Sequence, residues 1–565
     1  MIKVKDLPYK RYTVEEANAA FVAFESGAAL AGSADEVLAL RRTFLDEMRH
    51  YETNYAIAYS RFTLNTRDEF YQAEMDYYNE VGPEVSDIMT RFADIMLASP
   101  FRAELEAALN PRIYKSYEIS KKAFSPEIIE DSKRENALVM EYSKLMSEMQ
   151  FEFKGESMPL SVLRGKLSSP DRDTRRDAAC AIGEGLSKNA ASLDRIYDEL
   201  VKIRDTMAKK MGYKNFVELG YYRMGRCDYD ADMVKSFRDN VAADIVPTVS
   251  KIKREIADRL GYESIKFYDN ETYTAAEEPK PILDTDGIMS EACRMYDEMS
   301  TVTGKFMREM LEAEAFDVES RDGKWGGGYC ISFPDYKQAF ILANFNGTSA
   351  DLDVITHEFG HALADHYMFE EGDVDIGIGG METAECHSMS MEFFAYPYMQ
   401  RFCGNRAELY KLKHMLDGLS FIPYGVIVDE FQHIVYENPN YTPEERKAAY
   451  RALEEKYRPY LDYDGIPYLS EGTRWQYQAH IYESPFYYID YCLAQTVAFG
   501  FLVKSLEDYG SAFESYLSFV KAGGSLPFGE LVSDAGIKSP FEAGALADIA
   551  KKVTELKDEL LEKIN

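Results

Sequence analysis

The chain has 565 residues, of which 46% are apolar and 28% charged, an ordinary balance for a folded soluble protein and long enough for several structural units or one large globule. A formal charge of −33 repels phosphate backbones and anionic headgroups, which excludes nucleic acid and membrane surfaces as expected partners and leaves neutral or cationic ligands. Seven scattered cysteines with no CxxC pair exclude a disulfide framework and a thiolate zinc site. The opening MIKVKDLPYKRYTVEEANAAF lacks the apolar run of a signal peptide, and no uninterrupted apolar stretch approaches the length of a membrane span. A cytoplasmic protein is expected.

Helical periodicity dominates from Ser33 to about Leu109, with Pro83 placed to open a new helix and His50 standing alone. FEFKGESMPLS, at 151–161, alternates around a glycine and predicts a short strand pair. LSSPDRDTRRDAACAIGEGL then predicts a helix capped by Ser169, with Pro170 at its first position. Acids, prolines and glycines cluster at 262–287, which reads as a surface loop or a junction. The clearest β signal follows: GGGYCISF and QAFILANF flank Pro334–Lys337, so 328–345 reads as a hairpin. A helix begins after Thr348 or Ser349, with Asp351 in its first turn. The last residues, ALADIAKKVTELKDELLEKIN, predict an exposed, charged terminal helix. Tyrosine is abundant (41 residues), which suits an interior or a cavity where the ring packs and the hydroxyl finds a polar partner.

The helix after the hairpin, SADLDVITHEFGHALADHYMFEE, carries the chemistry. His357 and His361 are four apart, so one helix face presents both imidazoles, and two neutral nitrogens at that spacing can chelate one zinc ion. Glu358, one residue on, stands beside that position, where it can take a proton from an attacking water and deliver it to a leaving amine. The alternative, two ordinary helix histidines satisfied by hydrogen bonds, is weakened by Leu352, Ile355, Phe359 and Leu363, which mark a buried element. A catalytic zinc needs a third protein ligand and an open position. Ala364 and Tyr367 occupy the places where a metzincin has its glycine and third histidine, and His366 is turned too far round the helix. After the glycine-rich DIGIGG turn, the helix METAECHSMSMEFFAY ends at Pro397 and places Glu382, Glu385 and Glu392 on one stripe. One of these carboxylates can complete a His2Glu set; the others either orient the imidazoles or form a solvated face. His387 lies off the stripe and reads as structural.

HEFGHAL followed by Glu385-Cys386-His387-Ser388 resembles the M3 family of zinc oligopeptidases, nearest its oligoendopeptidase F branch with the Pz-peptidase-like members. LSSPDRDTRRDA at 167–178, MGYKNFVELG at 211–220 and AGGSLPFGELVSDAGI at 522–537 resemble further family segments, so the likeness runs from about 150 to 540. Many members have a histidine three residues after the second ligand, where this chain has Ala364. The resemblance implies zinc, one ion per chain, held by His357, His361 and Glu385. It implies a mostly α, zincin-type fold, with a small β-ribbon beside the active site and a deep channel that admits unfolded peptides. It also implies a helical region over 1–200 that covers the channel and a catalytic region over 201–565.

YQAHIYESPFYYIDY, at 477–491, supplies a second cluster. In the family, a histidine and tyrosines of such a segment bind substrate and transition state, which implicates His480 with Tyr487, Tyr488 and Tyr491 as donors to a developing oxyanion. Core packing is the competing role for each tyrosine. The hairpin edge can pair with an extended peptide, and Gly326–Gly328 allow close backbone approach; a plain structural ribbon is the competing reading. The expected activity is internal cleavage of short peptides. Its rivals are an exopeptidase and a non-catalytic peptide-binding protein, the latter disfavoured by the intact Glu358. The sequence sets no oligomeric state.

Overall fold

The computed structural model describes residues 2–371, 377 and 379–564, so half of the DIGIGG turn lies outside the described residues. Those residues are mostly helical, with two small sheets among them. β1 (Phe151–Phe153) and β2 (Glu156–Met158) pair antiparallel, as the alternation around Gly155 predicts. The other sheet has the order β3-β5-β4, with β3 (Phe316–Glu319) parallel to β5 (Gln338–Phe345) and β4 (Tyr329–Phe333) antiparallel to it at the edge. The β4–β5 hairpin turns through Pro334–Tyr336, with Lys337 left-handed at φ 52°. β3 is too short to leave a sequence period. All seven cysteines are free thiols.

The residues form two compact units, each assembled from separate stretches of chain: 1–124 with 279–407 and 497–537, and 125–278 with 408–496 and 538–565. In the first, the long helices Ala34–Leu64 and Glu69–Ala98 pack around Phe21, Phe24, Phe44 and Phe92, all buried. Pro83 does not open a helix there but lies inside Glu69–Ala98. Gly82 before it has no Cβ to clash with the proline ring, and buried Val81, Val85 and Ile88 hold the helix across the one lost backbone bond. His50 is not alone: its Nδ1 lies 2.7 Å from Asp335 Oδ2.

The second unit has an aromatic interior in which Tyr142 stacks on Tyr482 at 3.9 Å, and Tyr197 and Trp475 adjoin them. Its helix Arg172–Lys188 begins two residues later than the sequence predicts. Asp171 caps it by accepting from the Thr174 N–H, while Ser169 accepts from the Asp171 N–H. The terminal helix Ala545–Ile564 is charged but not merely exposed; Leu546, Ile549, Val553, Leu556 and Leu560 form a buried stripe. Among the described residues, Tyr488–Glu507 has an 18-residue window long and apolar enough to cross a bilayer, although Asp490, Lys504 and Glu507 interrupt the helix. That window is 67% buried within the protein, the condition of a core helix.

Candidate active site

The histidines stand on the helix Ala350–Glu371, which follows β5 directly. Asp351, in its first turn, accepts from the Asn346 and Gly347 N–H groups and so fixes the entry. Leu352, Ile355, Phe359 and Leu363 are buried, as the periodicity requires, which sets the register of His357 and His361. The facing helix, Met381–Phe394, approaches very closely at Gly360. A Cβ there would stand 2.6 Å from the His387 carbonyl oxygen and the Ser388 Cα, so the glycine of HEFGH is needed for the two helices to touch.

That contact brings Glu385 to the imidazoles. Its Oε2 lies 3.3 Å from His357 Nε2 and 3.7 Å from His361 Nε2, and one donor atom from each residue falls within 4.8 Å of the others. Ligands about 2.1 Å from one tetrahedral ion stand about 3.4 Å apart, so this donor set fits a single divalent metal held by two imidazoles and a carboxylate. The acidic stripe is not a solvated face. Glu382 and Glu385 are buried, and Glu392 Oε1 sits 2.6 Å from His357 Nδ1, turning Nε2 toward Glu385. The Ser388 hydroxyl is shared between the Glu385 carbonyl at 3.0 Å and its carboxylate at 3.2 Å, which steadies that side chain. Glu382 instead accepts from Thr383.

The electrostatics agree with a cation site. Burial would lower the His357 pKa, but Glu385 and Glu392 outweigh it and raise it well above the usual imidazole value. At His361 burial dominates and pushes the pKa down to about 4. The acids thus draw positive charge to the site, as a proton or as a metal ion. Glu358 is buried beside Gly328, where a Cβ would stand 3.8 Å from its Oε1. Burial raises its pKa to about 7; His357 opposes this, while Glu385 and Glu392 add to it. The carboxyl is therefore poised to exchange a proton near neutral pH.

His366 is apart from this group, stacked on Phe306 with centroids 4.5 Å apart. His387 is fully buried with neither ring nitrogen hydrogen-bonded among the described residues, and the Tyr516 hydroxyl donates to its carbonyl. The histidine and tyrosines of 477–491 gather in the second unit. His480 lies 4.9 Å from Tyr488, 5.7 Å from Tyr487 and 5.8 Å from Tyr491 between ring centroids, and its Nδ1 meets Gln478 at 2.9 Å. The helix starts at Tyr488, so Tyr487 precedes it. Tyr482 takes the packing role, with its ring stacked on Tyr142 and its hydroxyl donating to the Leu193 carbonyl. Sequence reasoning missed the roles of Gly360 and Ser388. The short residues at those points were the available signal, one between the two histidines and one three residues after Glu385.

Comparison with known proteins bears on the whole chain. Residues 166–551 match Peptidase family M3, and residues 4–124 match the Peptidase M3 N-terminal domain. Oligopeptidase PepF of Bacillus subtilis is 28% identical over 46% of this chain and 39% of its own length. Group B oligopeptidase PepB of Streptococcus agalactiae is 24% identical over 68% of this chain and 63% of its own. The aligned part thus spans less than two thirds of each of these curated relatives. A solved structure of PZ peptidase A with an inhibitor superposes with a TM-score of 0.92 and 41% identity over 100% of both chains.

Proposed function

The chain belongs to peptidase family M3, and from that premise we propose that it is a zinc-dependent endopeptidase hydrolysing internal bonds of short, unfolded oligopeptides. The observation that carries this reading is the convergence of His357, His361 and Glu385 with Glu358 buried beside them. Those three side chains would hold one zinc ion per chain, although the same donors also suit cobalt or manganese. Bound zinc supplies a Lewis acid that polarises the scissile carbonyl and lowers the pKa of the attacking water. Glu358 is the proton carrier. Its carboxylate takes the proton from that water and passes it to the leaving amine. Glu392 holds His357 by Nδ1, and Ser388 holds Glu385, so both stay oriented while the proton moves.

His480, Tyr487, Tyr488 and Tyr491 supply the donors for the oxyanion. Burial raises the Tyr488 pKa well above the usual phenol value, which keeps it protonated and able to donate. β4 lies at the edge of its sheet, where an extended peptide can pair along the strand, so binding needs little side-chain preference. Cytoplasmic peptides are the expected partners, and the charge of −33 disfavours nucleic acid and membranes.

The test is digestion of a mixed set of peptides about 5 to 30 residues long, with casein alongside, before and after chelation. Internal cuts in peptides only, abolished by chelator and restored by zinc, are expected. Release of terminal residues alone would make it an exopeptidase. No cleavage by a zinc-loaded chain would leave a peptide-binding protein.

A further inference from the structure

Each buried arginine of the second unit is paired with a carboxylate, whereas Arg474, half-buried, is not. Arg175 meets Asp269 at 2.8 Å, Arg204 meets Glu135 at 2.6 Å and Arg226 meets Asp490 at 2.7 Å. Arg446 meets Asp198 at 2.9 Å, Arg458 meets Glu454 at 2.6 Å, and Arg238 is paired with Asp429. Arg474 has no carboxylate and no hydrogen-bond acceptor among the described residues, although its Nε and Nη1 are sealed from solvent. Its guanidinium lies instead 3.8 Å over the Tyr424 ring and 5.4 Å from that of Tyr477. A desolvated charge without a counter-charge is costly, and ring faces compensate only part of that cost.

Arg474 also lines a cavity of about 330 Å³, within the range of small-ligand sites. Arg164 and Arg458 line it too, with Tyr268, Tyr477 and Glu271. Glu454 already matches Arg458, so Arg474 is the uncompensated charge in this wall, while Arg164 is exposed. The aromatic lining suits the body of an organic ligand. Glu271 in the same wall disfavours a doubly charged anion and suits a ligand with one carboxylate and neighbouring N–H donors. The cavity is linked to the His480 cluster: Tyr424, under the guanidinium, donates to Gln478 Oε1 at 2.5 Å, and Gln478 contacts His480.

We propose that this cavity is a carboxylate-binding site that seats a carboxylate of a bound peptide on Arg474, with Arg164 drawing it in from the rim. The assignment rests on the proposed peptidase function for the identity of the ligand. The carboxylate has two possible sources, the peptide C-terminus or an Asp or Glu side chain.

The test is calorimetric titration of the whole zinc-loaded Glu358→Gln chain, in which cleavage is slowed by about 10²- to 10⁴-fold. The probes are a short neutral peptide as the free acid, the same peptide as the C-terminal amide, and an amide carrying one Glu. The acid is expected to bind about tenfold tighter than the neutral amide. If the Glu-bearing amide matches the acid, the site reads side chains as well; if it matches the neutral amide, the site reads the C-terminus. Arg474→Met, checked for folding by circular dichroism, should erase the preference. Arg164→Glu lies on the exposed rim, does not threaten the core, and should weaken the preference severalfold.

Equal binding of all three probes would overturn the proposal. So would a preference that survives Arg474→Met or is unchanged in Arg164→Glu, or inorganic phosphate binding tighter than the peptide acid. If the acid preference holds while the unaltered zinc-loaded chain cleaves nothing, the site stands and the peptidase reading falls. Cleavage without any acid preference gives the reverse.

Discussion

Glu358 and Glu135 are both buried glutamates on helices, yet their surroundings drive them in opposite directions. At Glu358 burial raises the pKa to about 7, and the neighbouring Glu385 and Glu392 push the same way. At Glu135 burial also raises the pKa, but Arg204 and Arg223 outweigh it and hold the carboxylate at about 2. Arg204 extends that tie to the Tyr436 hydroxyl and the Tyr482 carbonyl. The difference separates two uses of buried charge. A carboxylate matched by guanidinium is fixed in one state and joins helices. One set among imidazoles and other acids can change its protonation, and it lies where a cation is wanted.

The sharpest way to break this contrast is to neutralise each glutamate. Glu358→Gln should lower kcat by about 10²- to 10⁴-fold, while the urea midpoint stays close to that of the unaltered chain. Glu135→Gln should do the reverse, costing about 3–5 kcal/mol in urea unfolding because Arg204 is left buried without its charge partner, with kcat per folded molecule unchanged. The pH dependence of that loss has a definite sign. A carboxylate held below its ordinary value of 4.5 contributes stability above that pH, and the contribution fades as pH falls from about 4.5 toward 2. Unfolding curves of the unaltered and Glu135→Gln chains should therefore converge on acidification.

Two smaller effects sharpen the picture on the metal side. Glu392→Gln should weaken metal affinity by about 10- to 100-fold, read from competition with a chelator, because His357 loses the anionic partner at Nδ1. Ser388→Ala removes one hydrogen bond to Glu385 and should cost about 1 kcal/mol, seen as a modest further rise in the metal dissociation constant.

Much of the first region was legible in the sequence because chelation imposes a local rule. Two imidazoles four apart on a helix share one face and can meet one metal, and the buried Leu352, Ile355, Phe359 and Leu363 fix which way that helix faces. Spacing on the second helix reduced the third ligand to three glutamates. The family resemblance implied Glu385 among them, and the approach of two helices at Gly360 sets Glu385 facing both imidazoles and Glu392 behind His357. The second region was far less legible. Its ties join residues distant in sequence, as Arg204 does with Glu135 and Tyr436, and no period marks them. The same holds for His50 with Asp335, for β3 alongside β5, and for the unmatched guanidinium of Arg474. Pro83 misled for a different reason: local propensity favours a break there, and side-chain packing along the helix overrides it.

In the proposed site, His357, His361 and Glu385 hold one metal ion for which Glu358 is the proton carrier and not a ligand. Elemental analysis of zinc in the purified chain and in its Glu385→Ala and Glu358→Gln variants, after equilibration with a weak chelator, tests this most directly. One zinc ion in the unaltered chain and in Glu358→Gln, with little or none in Glu385→Ala, is expected. Full zinc occupancy in Glu385→Ala, or its loss in Glu358→Gln, would contradict the assignment.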